Sequence, residues 1–176
     1  RENMRMTRLM DSRVSVQNVM QGHFAYTKSP TEDGKQLSGM FDWNLTWHYH
    51  WALTPVLHIL AGPGLGIHGG FTYNTRNGNN PAQARLATDF NLSGMAIYKI
   101  HLWHRIVSLR YQADIPIMGL MFSPNYGQSY YEIFSEGNYD HNVVPTTFVS
   151  TPSLRQMLSF DFPLAHTWIR VGLMGD

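Results

Sequence analysis

Residues 41–51 read FDWNLTWHYHW, and taken alternately they spell two different surfaces. Phe41, Trp43, Leu45, Trp47, Tyr49 and Trp51 make one row, while Asp42, Asn44, Thr46, His48 and His50 make the other. In a β-strand successive side chains point to opposite faces, so the two rows become the two faces of one sheet. Which row faces outward decides between a protein with an aromatic core and a barrel with a polar interior.

The same alternation continues on both sides of this stretch. Val14 to Thr27, Leu37 to Leu53, Leu57 to Asn74, Ala84 to Trp103, Ile106 to Phe122, Leu154 to Leu164 and a last run from Thr167 each oppose an apolar row to a polar one. Seven strands are legible, most of them far longer than the usual strand of about 5–6 residues. A strand crossing a bilayer at a tilt needs about 9–11 residues, and barrel strands extend past the membrane on the outer side.

The connections alternate as well. Thr54-Pro55-Val56, His104-Arg105 and Ala165-His166 are short, whereas SPTEDGKQ (29–36), TRNGNNPAQ (75–83) and the 123–153 segment are longer and more polar. Short turns at one rim and long loops at the other are the pattern of outer-membrane barrels. Aromatic residues gather near both rims, with Trp47, Tyr49, Trp51, Trp103 and Trp168 toward the short turns and Trp43 toward the long loops. Amphipathic rings settle at headgroup level, so Trp43, Trp47, Tyr49, Trp51, Trp103 and Trp168 are expected to form lipid-facing belts.

Composition agrees with this reading. Charged residues are 14% and aromatics 13%, against roughly 25% charged in ordinary soluble domains. The net charge of +1 supplies no basic patch for nucleic acid. The chain has no cysteine, and therefore no disulfide framework or Cys-based metal site. The expectation is an all-β, transmembrane, antiparallel up-and-down barrel of eight strands, formed by residues 1–176 as one domain. With seven strands visible, the barrel is expected to be incomplete at the C-terminal end, because an open edge is costly in hydrocarbon.

The alternation together with GQSYYEIFSEGNYDHNVVPTTFVSTPSLRQMLSFDF (127–162) and IRVGLMGD (169–176) resembles the small uncharacterised outer-membrane β-barrels of Bacteroidota-type Gram-negative bacteria. That resemblance implies a fold and a location in the bacterial outer membrane, and it implies no activity.

The interior row carries charges of both signs: Asp42, His68, Asp89, Lys99, Arg110, Asp114, Arg155, Asp161, Arg170 and Asp176. A two-residue turn at 165–166 sets Asp161 opposite Arg170 and Arg155 opposite Asp176, and a three-residue turn at 54–56 sets Asp42 opposite His68. An interior of paired charges reads as a plug more readily than as a pore, since eight strands enclose a space that side chains fill.

His48, His50 and His58 place imidazoles close together, but as polar interior groups they need no metal, and none is expected. Ser135, Glu136, Asp140 and His141 are residue types used in acyl transfer, yet H-x-S-N and G-x-S-x-G are both absent.

The 123–153 loop holds Tyr126, Tyr130, Tyr131, Phe134, Tyr139 and Phe148, too apolar for a solvated tether. It is expected to be ordered and to bind a partner or cover the mouth, with Tyr130, Tyr131 and Phe134 as anchors. The functional expectation is a non-enzymatic scaffold or accessory subunit, without cofactor, in contact with outer-membrane lipid and other outer-membrane proteins. The alternatives are a lipid-modifying enzyme using rim residues and a small pore.

Overall fold

The computed structural model describes residues 1–31, 33–78, 81–103, 105–125, 127–164 and 167–175. Long antiparallel strands dominate it: β1 (Glu2–Met6), β2 (Val14–Lys28), β3 (Lys35–Ala52), β4 (Leu57–Asn74), β5 (Ala82–Leu102) and β6 (Arg105–Phe122). A single helical turn, α1 (Tyr130–Phe134), and a short strand, β7 (Val143–Thr147), lie in the long loop. The chain then returns through β8 (Arg155–Leu164) and β9 (Thr167–Gly175).

Eight strands follow one another across one sheet in the order β1-β2-β3-β4-β5-β6-β8-β9. β6 is long enough to serve two neighbours. Ser108 to Asp114 pair with β8, and Met118 to Phe122 pair with β7. The sheet curls into a half-barrel, and among the described residues no backbone ladder joins β9 to β1. That seam is spanned instead by an ion pair between Glu2 and Arg170.

Seven of these strands coincide closely with the runs of alternating sequence. β1 is an eighth, and it lies at the N-terminal side of the sheet. It escapes a search for apolar alternation because its outward positions, Asn3 and Arg5, are polar. Its pairing of Met4 with Gln17 and Met6 with Ser15 sets both methionines on the inner face, where Met4 is half-buried and Met6, near the rim, remains exposed. β7 was hidden because it is a five-residue addition to a neighbour's edge, with Pro145 in its middle.

Register shows which row faces in. His48 is 0% exposed and Arg110 2%, while Phe24 is 82% and Ile67 50% exposed. The polar row of the opening stretch, Asn44, Thr46 and His48, is buried inside the curl, and Trp43, Trp47 and Tyr49 stand half-buried on the outer wall. Trp51 and Trp103 are exposed; Trp103 occupies the tight β5–β6 turn with a positive φ of 52°. The side chain of Trp168 lies outside the described residues.

The interior is not entirely polar. Leu60 and Met95 are fully buried near the short-turn end, where they close the floor. No helix among the described residues is long and apolar enough to cross a membrane.

Candidate functional site

The antiparallel registers stack interior side chains into rungs. Asp42, His68 and Ala87 share one rung, Asn44, Gly66 and Asp89 the next, and Thr46, Gly64 and Asn91 the third. Below them, toward the short turns, His48, Ser93, Gln112 and Gln17 fill the space.

That lower half is a hydrogen-bonded plug. The Gln17 amide donates to Glu2 Oε1 at 2.8 Å and to Gln112 Oε1 at 2.9 Å, and Gln112 donates in turn to Asp114 Oδ1 at 3.0 Å. Arg110 grips the Glu2 carboxylate with both terminal nitrogens, at 2.7 and 2.6 Å, and its Nε donates to Ser159 at 3.3 Å. A planar guanidinium matches a carboxylate in this two-bond geometry. Arg170 completes the cluster by pairing with Glu2 and with Asp161, the latter through Nη2 at 2.6 Å.

Asp42 faces His68 and Asp161 faces Arg170 in the ladders. Arg155 has a partner on its other side. Its guanidinium donates to Asp114 Oδ2 at 3.0 and 2.7 Å, across the β6–β8 ladder, while Asp176 lies outside the described residues. Lys99 is half-buried near the short-turn rim and makes no ion pair among the described residues. Glu2, Gln17 and Gln112 were not legible as members of this cluster. Glu2 needs β1 to bring it inside, and the two glutamines carry no charge to draw notice.

Above the plug the interior opens into a cavity of about 440 Å³, walled by β2 to β6, by Thr146 of β7 and by residues 151–155, which lead into β8. Two glycines allow close packing in this part of the sheet. A Cβ on Gly66 would sit 2.4 Å from Asp89 Oδ2 and 2.7 Å from His68 Nε2, and one on Gly119 would meet Thr88 O at 2.4 Å. Because Gly66 has no side chain, His68 can reach across β4, with Nδ1 2.7 Å from Asp42 and Nε2 2.6 Å from Asp89. Only the imidazolium has two N–H donors, so two flanking carboxylates call for that form. His23 approaches Asp42 from the exposed side at 3.4 Å. Gly66→Ala is expected to force the His68–Asp89 contact apart and to cost about 1–3 kcal/mol in urea unfolding; a cost near zero would show that the rung has slack.

Neither nitrogen of His68 is free to take a proton from a substrate or to ligate a metal. In the H-x-H pair one nitrogen of each ring is engaged, His48 Nε2 with Ser93 at 2.9 Å and His50 Nε2 with Ser15 at 2.8 Å, while His48 Nδ1 is buried with no hydrogen-bond partner among the described residues. Among the described residues no group of three or more His, Asp or Glu side chains is arranged to hold a metal ion. On the rim, His141 pairs with Asp140 at 2.9 Å, both exposed, and no hydrogen bond among the described residues joins Ser135 to them.

The long loop is folded. Ser129 and Glu132 form a reciprocal cap on α1: the Ser129 backbone N–H donates to Glu132 at 2.6 Å, and the Glu132 N–H donates to Ser129 Oγ. The Ser129 backbone N–H, followed by its hydroxyl, holds the Glu132 carboxyl below the usual glutamate range. A depressed carboxyl supports the cap above the ordinary carboxylate range, and that support is lost as pH falls through the lowered value.

Ile133 is fully buried, and the Tyr130 ring stacks on Phe122 and Phe134 at centroid distances of 6.4 and 6.0 Å. The Tyr130 hydroxyl also accepts the Ala84 N–H at 2.6 Å. Of the expected anchors, Tyr130 is tied down, whereas Tyr131 and Phe134 are largely exposed, as are Tyr139 and Phe148. Ile133 takes the anchoring place because the helical turn directs it, not Tyr131, toward the barrel. Tyr126 lies outside the described residues. Ile133→Ala is expected to cost about 2–4 kcal/mol of local loop stability. It would be read as faster proteolysis between 123 and 153; an unchanged cleavage rate would show that Ile133 is not the anchor.

No curated protein and no solved structure matches the chain. The model of the family described as "Protein of unknown function (DUF3316)" matches residues 1–176, the whole chain, and the protein belongs to that family.

Proposed function

We propose that the protein is an integral β-barrel of the bacterial outer membrane, acting as a non-enzymatic scaffold or accessory subunit. The observation that carries this reading is the inversion of polarity. Long strands turn Phe24, Phe41, Ile67, Leu92 and Met118 outward into exposed positions while Gln17, His48, Arg110 and Gln112 are buried. In water so wide an apolar wall is unfavourable, and in lipid it is the ordinary exterior of a barrel. The resemblance of the sequence to small barrels of Bacteroidota-type bacteria supports the same location.

An accessory role has its own support on β1. Arg1, Asn3 and Arg5 stand on the outer wall beside Asn18, Met20 and Leu45, interrupting the apolar surface. Charged groups facing lipid are costly near mid-membrane, so a neighbouring protein is the natural cover for this strip. The exposed tyrosines of the loop add a second contact surface of the kind enriched in interface hot spots. Against catalysis stand the fully engaged nitrogens of His68 and the absence of a Ser135–His141 contact. Against a pore stands the filled lower interior; planar bilayers containing the protein are expected to show no conductance steps, and reproducible steps would reverse that assignment.

The membrane reading is tested with a variant retaining Trp47 as its sole tryptophan, reconstituted in vesicles. Brominated lipid should quench its fluorescence and aqueous iodide should not. The opposite result would make the outer wall a water-exposed or protein-covered surface and remove the proposal.

A further inference from the structure

We propose that a notch in the short-turn rim holds the phosphate of an anionic phospholipid whose acyl chains lie against the outer wall. This rests on the reading of that wall as lipid-facing, and it names the class of lipid the wall selects.

The notch arises where neighbouring strands end at different heights. β2 begins at Val14, opposite Tyr49, so residues 50–52 of β3 run past it, and only the Arg13 carbonyl still accepts the His50 N–H, at 2.9 Å. The space left there is about 500 Å³, and its lining includes Ser12, Arg13, Tyr49, His50, Trp51 and His58. It shares no residue with the strip of Arg1, Asn3 and Arg5.

The groups that would meet a phosphate are reachable. Ser12 and Arg13 are both exposed. Arg13 gives one N–H to the Tyr49 hydroxyl at 3.3 Å, and among the described residues its guanidinium is paired with no carboxylate. A guanidinium carries five donors in a planar fork that matches phosphate oxygens, so most of them stay open in the notch.

Charge around the notch favours an anion. Arg8, Arg13, Lys99 and Arg105 stand at the short-turn rim against Asp11 as the one exposed carboxylate among the described residues. The opposite rim mixes the signs, as in the exposed Arg76–Asp33 pair. A phosphodiester without an ammonium complements the basic rim, whereas phosphatidylcholine and phosphatidylethanolamine bring a cation of their own.

The outer wall beside the notch is shaped for the rest of the lipid. The Tyr49 and Trp51 rings lie 4.7 Å apart between centroids, at the height where amphipathic rings settle among headgroups. Next to Tyr49 in the ladders come Ala61 and then Gly94, and a Cβ on Gly94 would meet nothing within 4 Å. The wall is therefore low beside the two rings. An acyl chain can lie in that shallow groove while its phosphate reaches Arg13, an arrangement that a soluble acidic partner would leave half empty.

The full chain with Trp51 as its sole tryptophan, reconstituted in phosphatidylcholine vesicles, tests this. A minor fraction of phosphatidylglycerol, phosphatidylethanolamine or phosphatidylcholine is brominated near the head of its acyl chain, and quenching at equal fractions reports which lipid gathers at the notch. Brominated phosphatidylglycerol should be enriched about fivefold over the other two, the effect of one arginine at an anionic surface. Arg13→Gln should remove that enrichment and leave quenching by phosphatidylcholine unchanged. Equal quenching by all three lipids, or enrichment that survives Arg13→Gln, would overturn the site while leaving the membrane reading intact; no quenching by any of them would remove both. Glycerol phosphate added at constant ionic strength should leave the enrichment in place, and its loss would make the notch a site for soluble phosphates instead. Native mass spectrometry of the unmodified chain released from mixed vesicles reads the same preference where the single-tryptophan variant does not fold: retained phosphatidylglycerol is expected, and equal retention of phosphatidylcholine would overturn the proposal.

Discussion

Replacing Arg110 with methionine is expected to destabilise the fold by about 3–5 kcal/mol, the cost of stranding a buried carboxylate after its partner is removed. Arg110 is 2% exposed and donates two bonds to Glu2, so the variant leaves Glu2 with Arg170 as its one cationic partner beside the neutral Gln17 amide. The double variant Glu2→Met/Arg110→Met should recover most of the loss, because replacing a buried pair by apolar side chains is often neutral. Arg170 keeps Asp161 in either case. Urea unfolding in micelles reads the difference. A single-variant loss below about 1 kcal/mol, or a double variant as unstable as the single, would show that the Glu2–Arg110 pair is solvated and that β1 is not held by it.

The second large effect concerns the outer wall. Leu65 lies at mid-height in the rung Leu45–Leu65–Phe90 and is 43% exposed. Leu65→Lys should cost about 2–4 kcal/mol if this wall meets the bilayer midplane. The same change on a water-facing surface usually stays within about 0.5 kcal/mol. Measuring unfolding in lipid vesicles therefore separates the two environments, and a cost near zero would remove the membrane proposal. The inner neighbour is no neutral control: Thr46, on the opposite face, is 1% exposed and packed among filled rungs, so lysine there would be overpacked in either solvent. Alternation alone suggests that a polar row tolerates lysine; only the closeness of the interior shows that it does not.

The candidate site was legible in part. Asp42 opposite His68 and Asp161 opposite Arg170 followed from turn lengths, because in a two-residue or three-residue connection the register has almost no freedom. Asp89 joins His68 through a different ladder, β4 with β5, whose longer connection leaves register open in sequence. The role of Gly66 was invisible for the same reason. A glycine in an alternating strand reads only as an absence, until the neighbours show whose side chains lie over it.

What this sequence determines by itself is local: strands, their faces and the order of short and long connections. Each depends on a period of two and on turn chemistry, which act between residues close in the chain. The tertiary structure decides which interior groups meet across the curl. Glu2 reaches Arg110 from 108 residues away and Gln17 reaches Gln112 from 95. The partner of Arg155 is Asp114, on a strand separated from it by the whole folded loop. Such pairings depend on how far the sheet bends before opposite walls touch. That curvature arises from twist and packing summed over eight strands, so no short window of sequence carries it.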